Sequence, residues 1–353
     1  MTSERRRWTE HPLVQLTLVR YREFYREPEA VFWVFVFPVL LTAGLGIAFR
    51  NQAPERVPLA VVAGARGSDS LATALRASGA LEVRMLDDSA AGDALRTGQV
   101  ALVVAPQETG DVEYRYDRER PDSRTARLLA DAAVQDAAGR RDPVEVTERL
   151  VSEPGSRYVD FVVPGLLGMN LMGSGIWGLG FAIVDARRKK LLKRLVATPM
   201  SRTQYLASFV LSRLTLLIVE VALLLGFAVV AFGVPLRGAI APLAAICLLS
   251  SLAFGALGLL IASRARTVEV VSGLMNLVML PMWIFSGVFF SASRFPEALQ
   301  PFIQALPLTA VIDALRASML EGAGLDRLGP ELAIIGTWLG GSFLLAVRLF
   351  RWR

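Results

Sequence analysis

Six apolar stretches punctuate the chain, and their lengths set the first expectation. Val31–Phe49 holds 19 residues without a charge, Phe161–Val184 holds 24, Gly238–Ser263 holds 26 and Val270–Ser293 holds 24. Leu214–Leu236 is interrupted only by Glu220, and Pro330–Phe350 has a charge-free centre at Leu332–Val347. At 1.5 Å per residue, 19 helical residues reach about 28 Å, enough to cross a bilayer core. The pattern therefore predicts six transmembrane helices. A cleaved signal peptide is the competing reading of the first stretch. Some 30 residues precede it and no A-x-A-like site follows, which favours a retained span. Between the first two stretches, Arg50–Arg157 changes period. Val57–Ala63, Leu81–Leu86, Val100–Ala105 and Val112–Tyr116 read as strands, and Ser68–Ser78, Ser89–Arg96 and Ser123–Ala138 as helices. The order β-α-β-α-β-β-α predicts a small mixed sheet with helices packed on it. The expected fold class is thus an α-helical polytopic membrane protein with a small mixed α/β domain between spans one and two.

Charge then orients the spans. The chain is 53% hydrophobic and 20% charged, with 38 Lys+Arg against 32 Asp+Glu and a net charge of +6. A basic balance can signal nucleic acid, but here its distribution follows topology. The connection Asp185–Arg213 carries eight basic residues and one acid, Asp185. Arg264 and Arg266 lie between spans four and five, and Arg348, Arg351 and Arg353 follow span six. The positive-inside rule puts these loops and both termini in the cytoplasm. The 50–157 segment, with 15 arginines and 18 acids, is then extracytoplasmic, since long domains translocate regardless of charge. One cysteine, Cys247, excludes an intrachain disulfide, and one histidine, His11, excludes a multi-histidine metal site.

Several positions stand out as candidates. In residues 1–30, Val14, Leu18, Tyr21 and Tyr25 form one helical stripe with Arg20, Glu23 and Glu27 opposite, although Leu16 interrupts the polar face. That is the pattern of an amphipathic helix lying in the membrane interface. In the 185–213 loop, Leu192, Leu195 and Val196 make a short apolar face, Pro199 ends that helix, and Ser201 with Gln204 has capping-box spacing for the next. The product is a helix, a sharp turn and a helix re-entering the membrane, either a surface for a soluble partner or a basic loop on anionic lipid. Glu220 is the acid inside a span. A structural hydrogen bond and a place in the translocation path both fit it, and Asn170 and Asn276 are further path candidates. Six glycines in span two (Gly165, Gly168, Gly173, Gly175, Gly178, Gly180) permit close helix approach, within the chain or at a dimer interface. Residues 294–329 are broken by Pro296, Pro301 and Pro307, and Asp313 and Arg316 at i, i+3 are spaced to pair with each other; substrate contact is the other reading.

The string Arg194-Leu-Val-Ala-Thr-Pro-Met-Ser-Arg202 resembles the LLATPVSR stretch of ABC-2 type permeases, the membrane subunits of ABC exporters. Ser286–Phe290 with Phe295-Pro296, Leu306–Thr309, Asp313–Arg316 and the closing Phe350–Arg353 are similar to further family segments, in the family order. Ser291 and Leu306 depart from it, standing where the family often has Pro and Asn. The resemblance implies a permease that pairs with a second copy or a paralogue and works by alternating access in the inner membrane of a prokaryote. It implies a separate ABC ATP-binding subunit that holds ATP and Mg, with no cofactor or metal in this chain and no enzymatic activity of its own. The 185–213 loop becomes the coupling helix docking on that subunit, through Leu192, Arg194, Leu195, Pro199 and Arg202. The 294–329 segment becomes an outer pair of re-entrant helices. The sequence is consistent with this: the three lysines, Lys189, Lys190 and Lys193, all lie in the basic loop and none follows a glycine, so no G-x-x-x-x-G-K-[ST] phosphate loop is present. Three other classes fit less well. A receptor or scaffold wants a cytoplasmic signalling module. A secondary carrier wants more intramembrane ionisable groups and internal repeats. An intramembrane enzyme wants an H-E-x-x-H motif, paired aspartates or a Ser/His set.

Overall fold

The computed structural model describes residues 12–49, 56–107, 109, 111–140, 155, 157–188, 202–265 and 267–349. Two compact units emerge, one from residues 1–50 with 151–353 and one from residues 51–150.

The smaller unit is an α/β layer. Its strands are β1 (Val57–Val62), β2 (Leu81–Leu86), β3 (Leu102–Pro106) and β4 (Val112–Arg115), in the spatial order β2-β1-β3-β4. β1 pairs parallel with both β2 and β3, and β4 runs antiparallel to β3. Three helices belong to this unit: α3 (Ser68–Ala77), α4 (Asp88–Arg96) and α5 (Pro121–Ala137). Because helices cover both faces of the sheet, the central strands read as unbroken apolar runs rather than alternating ones. Leu59, Val61, Leu102 and Val104 meet Ala72 and Leu75 of α3 and Ala126 and Ala130 of α5. Ala60 and Val103 meet Ala91 and Ala94 of α4 on the other face. Asp87 caps α4 by accepting from Ala90 N at 2.7 Å.

The larger unit is helical. It opens with α1 (Pro12–Tyr25), followed by α2 (Pro28–Ala48), whose residues Phe32–Val36 are π-helical. After the α/β unit come α6 (Tyr158–Arg188), α7 (Arg202–Phe232), α8 (Ile240–Ala262) and α9 (Val268–Phe285). Two short helices, α10 (Gln300–Ala305) and α11 (Pro307–Leu320), precede α12 (Gly329–Leu349). Among the described residues, α2, α6, α7, α8, α9 and α12 contain six stretches long and apolar enough to span a membrane. The expected spans are therefore present, with shifted ends. α7 begins at Arg202, so Arg213, counted above in the connection, lies within a helix. It stops at Phe232, where Gly233 turns the chain at φ +62°. The fifth span stops at Phe285 rather than at Ser293, because Gly287 adopts φ +78° and helical geometry ends there. Glu297–Ala305 and Pro307–Leu320 meet at 84°, with Pro307 at the start of the second helix.

α6 and α8 are the axis of the bundle. In each, 56% of the spanning window is buried, against 17% in α2 and in α12. Glycines make that burial possible. A Cβ on Gly165 would lie 2.5 Å from the Val288 carbonyl oxygen, one on Gly175 2.7 Å from Phe254 Cβ, and one on Gly258 2.6 Å from the Ile176 oxygen. A Cβ on Gly168 would lie 2.8 Å from Ile312 of α11. Those glycines are used for packing inside this chain. At Gly173 an added Cβ would meet nothing within 4 Å. α1 packs on α7. Leu16, Thr17 and Arg20 are turned inward, while Leu18 and Tyr25 of the expected stripe are exposed. Leu16, which disturbed the polar face in the sequence pattern, is half-buried on this helix.

Gly165→Ala and Gly258→Ala each force a methyl against a backbone carbonyl that cannot rotate away. Each is expected to lower the Tm of the purified chain, with a cost of about 1–3 kcal/mol typical of overpacking. Gly173→Ala, in the same helix as Gly165, is expected to be neutral or slightly stabilising.

Candidate functional site

Two sets of polar groups stand out among the described residues of the helical unit. One serves helix ends and breaks, and the other is a buried cluster between α6 and α7.

The first set follows from a shortage of donors. Pro38 has no N–H, so the carbonyl four residues earlier, Val34 O, loses its helical partner. The π-turn Phe32–Val36 accommodates that break, and Asn170 of α6 supplies the missing donor through Nδ2 at 3.1 Å. Asn170 is 8% exposed. It is thereby placed as a pin between spans one and two. Asn276 is exposed on α9, facing away from the chain's own core.

Arg157 and Asp160 join the start of α6 to the end of α7. Asp160 is fully buried, and its carboxylate accepts from Arg157 Nε at 2.9 Å and Nη2 at 2.8 Å, and from the backbone N–H of Gly155 at 2.9 Å and Arg157 at 3.2 Å. Arg157 also donates to the Phe232 and Gly233 carbonyls at 2.9 and 3.0 Å. Donating its hydrogen bonds to Asp160 raises the Arg157 pKa above its ordinary value. Neither residue drew notice in the sequence, although an Arg and an Asp at i, i+3 on a span boundary was a readable signal.

Arg316 behaves likewise. It lies 3.8 Å from Asp313, too far for a hydrogen bond. Its donors go instead to the Gly287 carbonyl just past α9 and to the Phe161 carbonyl in the first turn of α6 at 3.3 and 3.4 Å. The guanidinium sits 3.7 Å above the centre of the Phe161 ring. Tyr158 Oη donates to Phe289 O at 3.0 Å, and Trp338 Nε1 to Ala305 O at 2.9 Å. The two departures from the family pattern are accounted for locally. Ser291 accepts from Ser293 N at 3.3 Å to shape its turn. Leu306 takes the N-cap position of α11 without a side-chain cap and is buried in the helical core. Pro307 at N1 leaves one fewer N–H to satisfy there.

The second set holds Glu220. It is 1% exposed and accepts a hydrogen bond at Oε1 from Ser174 Oγ of α6 at 3.0 Å. The same serine oxygen accepts from Arg213 Nη2 at 2.6 Å. Ser174 is 7% exposed. Glu220 was singled out in the sequence; Arg213 and Ser174, which complete the cluster, were missed. Arg213 had been assigned to a loop, and an isolated serine in a span carries no signal by itself. Among the described residues no group of three or more His, Cys, Asp or Glu could hold a metal ion. Leu192, Arg194, Leu195 and Pro199 lie outside the described residues, and Arg202 is the first residue of α7.

Comparison with known proteins adds the family context. A family model described as ABC-2 family transporter protein matches residues 29–348. ABC transporter G family member 20 of Dictyostelium discoideum is 29% identical over 220 residues, covering 61% of this chain and 30% of that protein. Inner membrane transport permease YhhJ of Escherichia coli strain K12 is 24% identical over 173 residues, 49% of this chain and 46% of that one. Nodulation protein J of Bradyrhizobium diazoefficiens is 30% identical over 105 residues, 30% and 40% respectively. The matched part spans less than half the length of each of these relatives.

Two expectations follow from the carbonyl contacts. Asn170→Ala leaves Val34 O buried without a donor and is expected to cost about 1–3 kcal/mol. In a Pro38→Ala background the helix's own N–H serves Val34 O, so the same change should cost much less; a thermal-melt double-mutant cycle measures the difference. Arg316→Ala strips two carbonyls and a ring of their partner, whereas Asp313→Ala removes only a long ion pair. The Tm loss is expected to be large for the first and small for the second.

Proposed function

The chain belongs to the ABC-2 family of transporter proteins, and from that membership we propose that it is the membrane-spanning permease of an ATP-driven exporter. The observation that carries this is the family match over residues 29–348, which takes in all six apolar helices and the α/β unit between the first two. In this reading the permease moves its substrate out of the cytoplasm or the inner leaflet by alternating access. ATP, with Mg, is hydrolysed on a separate ABC ATP-binding subunit. The absence of a phosphate-loop motif from these 353 residues supports that division of labour. The positive charge concentrated in 185–213 supports a cytoplasmic position for that loop and for both termini, with the α/β unit outside. The ATP-binding subunit docks on the loop through Leu192, Arg194, Leu195, Pro199 and Arg202. A second permease copy or paralogue completes the path, with Asn276 on an outward helix face as a candidate contributor to it. The name inner membrane transport permease carried by one relative supports the same membrane here.

Leu195→Glu tests the docking surface. Co-expressed with an ABC ATP-binding subunit, the unaltered chain is expected to co-purify with ATPase activity, and the variant to purify folded but without it. Retention of the ATPase by the variant would count against the docking site. ATP hydrolysis by the purified chain alone would overturn the division of labour.

A further inference from the structure

In the buried polar cluster both charges sit on one helix. Arg213 and Glu220 lie about two turns apart on α7, and α6 contributes only the neutral hydroxyl of Ser174. A hydroxyl has a single proton to donate. Ser174 gives it to Glu220 Oε1, yet a second acceptor is within reach on its own helix, the Leu171 carbonyl at 3.4 Å. The charged partners retain complementary spare groups. Arg213 Nε is a donor and Glu220 Oε2 an acceptor, and both are buried with no hydrogen-bond partner. Those are atoms that a direct guanidinium–carboxylate contact would use. Nη2 and Oε1 already lie within 3.0 Å of the same serine oxygen, so small side-chain rotations close the gap.

We propose that Ser174 is a removable spacer in a two-position latch between α6 and α7. In the position described here its hydroxyl stands between guanidinium and carboxylate and ties the two helices together. In the other position the guanidinium closes on the carboxylate, Ser174 turns to the Leu171 carbonyl, and the helices part. The arrangement answers a problem specific to membranes. An ion pair divided between two helices strands a bare charge on each when they separate, at steep cost. With both charges on α7, separation strands neither. What α6 gives up is one hydroxyl with two hydrogen bonds, and it recovers the donated one from its own backbone. α6 and α7 also flank the 185–213 loop, so the latch acts on the two arms of the proposed ATPase docking segment. Its purpose in transport rests on the proposed function, but its chemistry does not.

The test is a pair of double-mutant cycles on the full chain in lipid nanodiscs, read by thermal unfolding. Arg213→Gln and Glu220→Gln are combined once with Ser174 in place and once in Ser174→Ala. Either charge removal alone is expected to lower the Tm more than Ser174→Ala does, and the double variant to lose less than the two single losses together. That non-additivity is expected to grow in Ser174→Ala, because the direct contact then forms. Its loss in Ser174→Ala would make the serine an obligatory bridge and overturn the latch. An unchanged value would show that Arg213 and Glu220 couple without regard to Ser174, which overturns it as well. Ser174→Thr keeps the hydroxyl and should keep the original coupling. If Arg213→Gln or Glu220→Gln does not yield folded protein, Arg213→Lys and Glu220→Asp run the same cycle. No ATP or substrate enters the measurement. Its failure therefore leaves the transporter reading standing, and a failure of ATPase docking leaves the latch standing.

Discussion

A bilayer offers no hydrogen bonds to the backbone carbonyls left over where a helix ends, breaks or meets a proline. Much of the polar structure of the helical unit answers to that constraint. Val34 O is released by Pro38 and taken by Asn170. The carbonyls at the end of α7 are taken by Arg157, and those just past α9 by Arg316 and Tyr158. The last carbonyl of α10 is taken by the Trp338 indole. Each donor belongs to a different helix from the carbonyl it serves. The contacts that satisfy the backbone therefore also fix how the helices lie against one another. An arginine suits the task because one guanidinium has five donors and can hold two carbonyls and a carboxylate together, as Arg157 does.

The constraint explains the central place of α6. It carries Asn170 to span one, and Tyr158 to the segment after α9. Its preceding residue Arg157 reaches α7, and its Phe161 carbonyl and ring receive Arg316. A helix that serves so many neighbours must approach them closely. Gly165 and Gly175, with Gly258 of α8, provide that room. Small residues and long polar ones are thus two halves of one solution. The first lets helices touch along their length, and the second closes their ends.

The architecture was largely legible in the sequence, because apolar run length and the change of period between residues 50 and 157 are properties of composition. The β-α-β-α-β-β-α order of the smaller unit follows from the same periodicity. Helix ends were less legible. The charge-free run Val270–Ser293 continues past Phe285, the last helical residue; the stop depends on Gly287 and on Arg316, which comes from 29 residues further along the chain. Charge was misleading in two places for one reason. Arg213 was counted with a loop and Arg157 with a soluble domain, because hydropathy windows treat an arginine as a boundary. Tertiary structure instead brings Asp160 and carbonyls to one, and Ser174 to the other. The converse holds for Asp313 and Arg316. Their i, i+3 spacing was readable and they do form a 3.8 Å ion pair, but sequence spacing could not reveal that the shorter contacts of Arg316 go to distant carbonyls.

These contacts are distributed unevenly along α6 and α7. Where α6 begins and α7 ends, they are joined by the Arg157 guanidinium, which Asp160 holds in place and which serves the Phe232 and Gly233 carbonyls; those two carbonyls lose their partner if the helices separate. Further along, at Ser174, Arg213 and Glu220, charge is balanced within α7, and α6 offers a single hydroxyl. Two helices fastened firmly at one end and lightly further along are suited to pivot rather than to slide. At their other end α6 and α7 lead into the basic segment 189–201. A force applied there would work at the far end of a lever whose fulcrum is the contact of Arg157 with the Phe232 and Gly233 carbonyls.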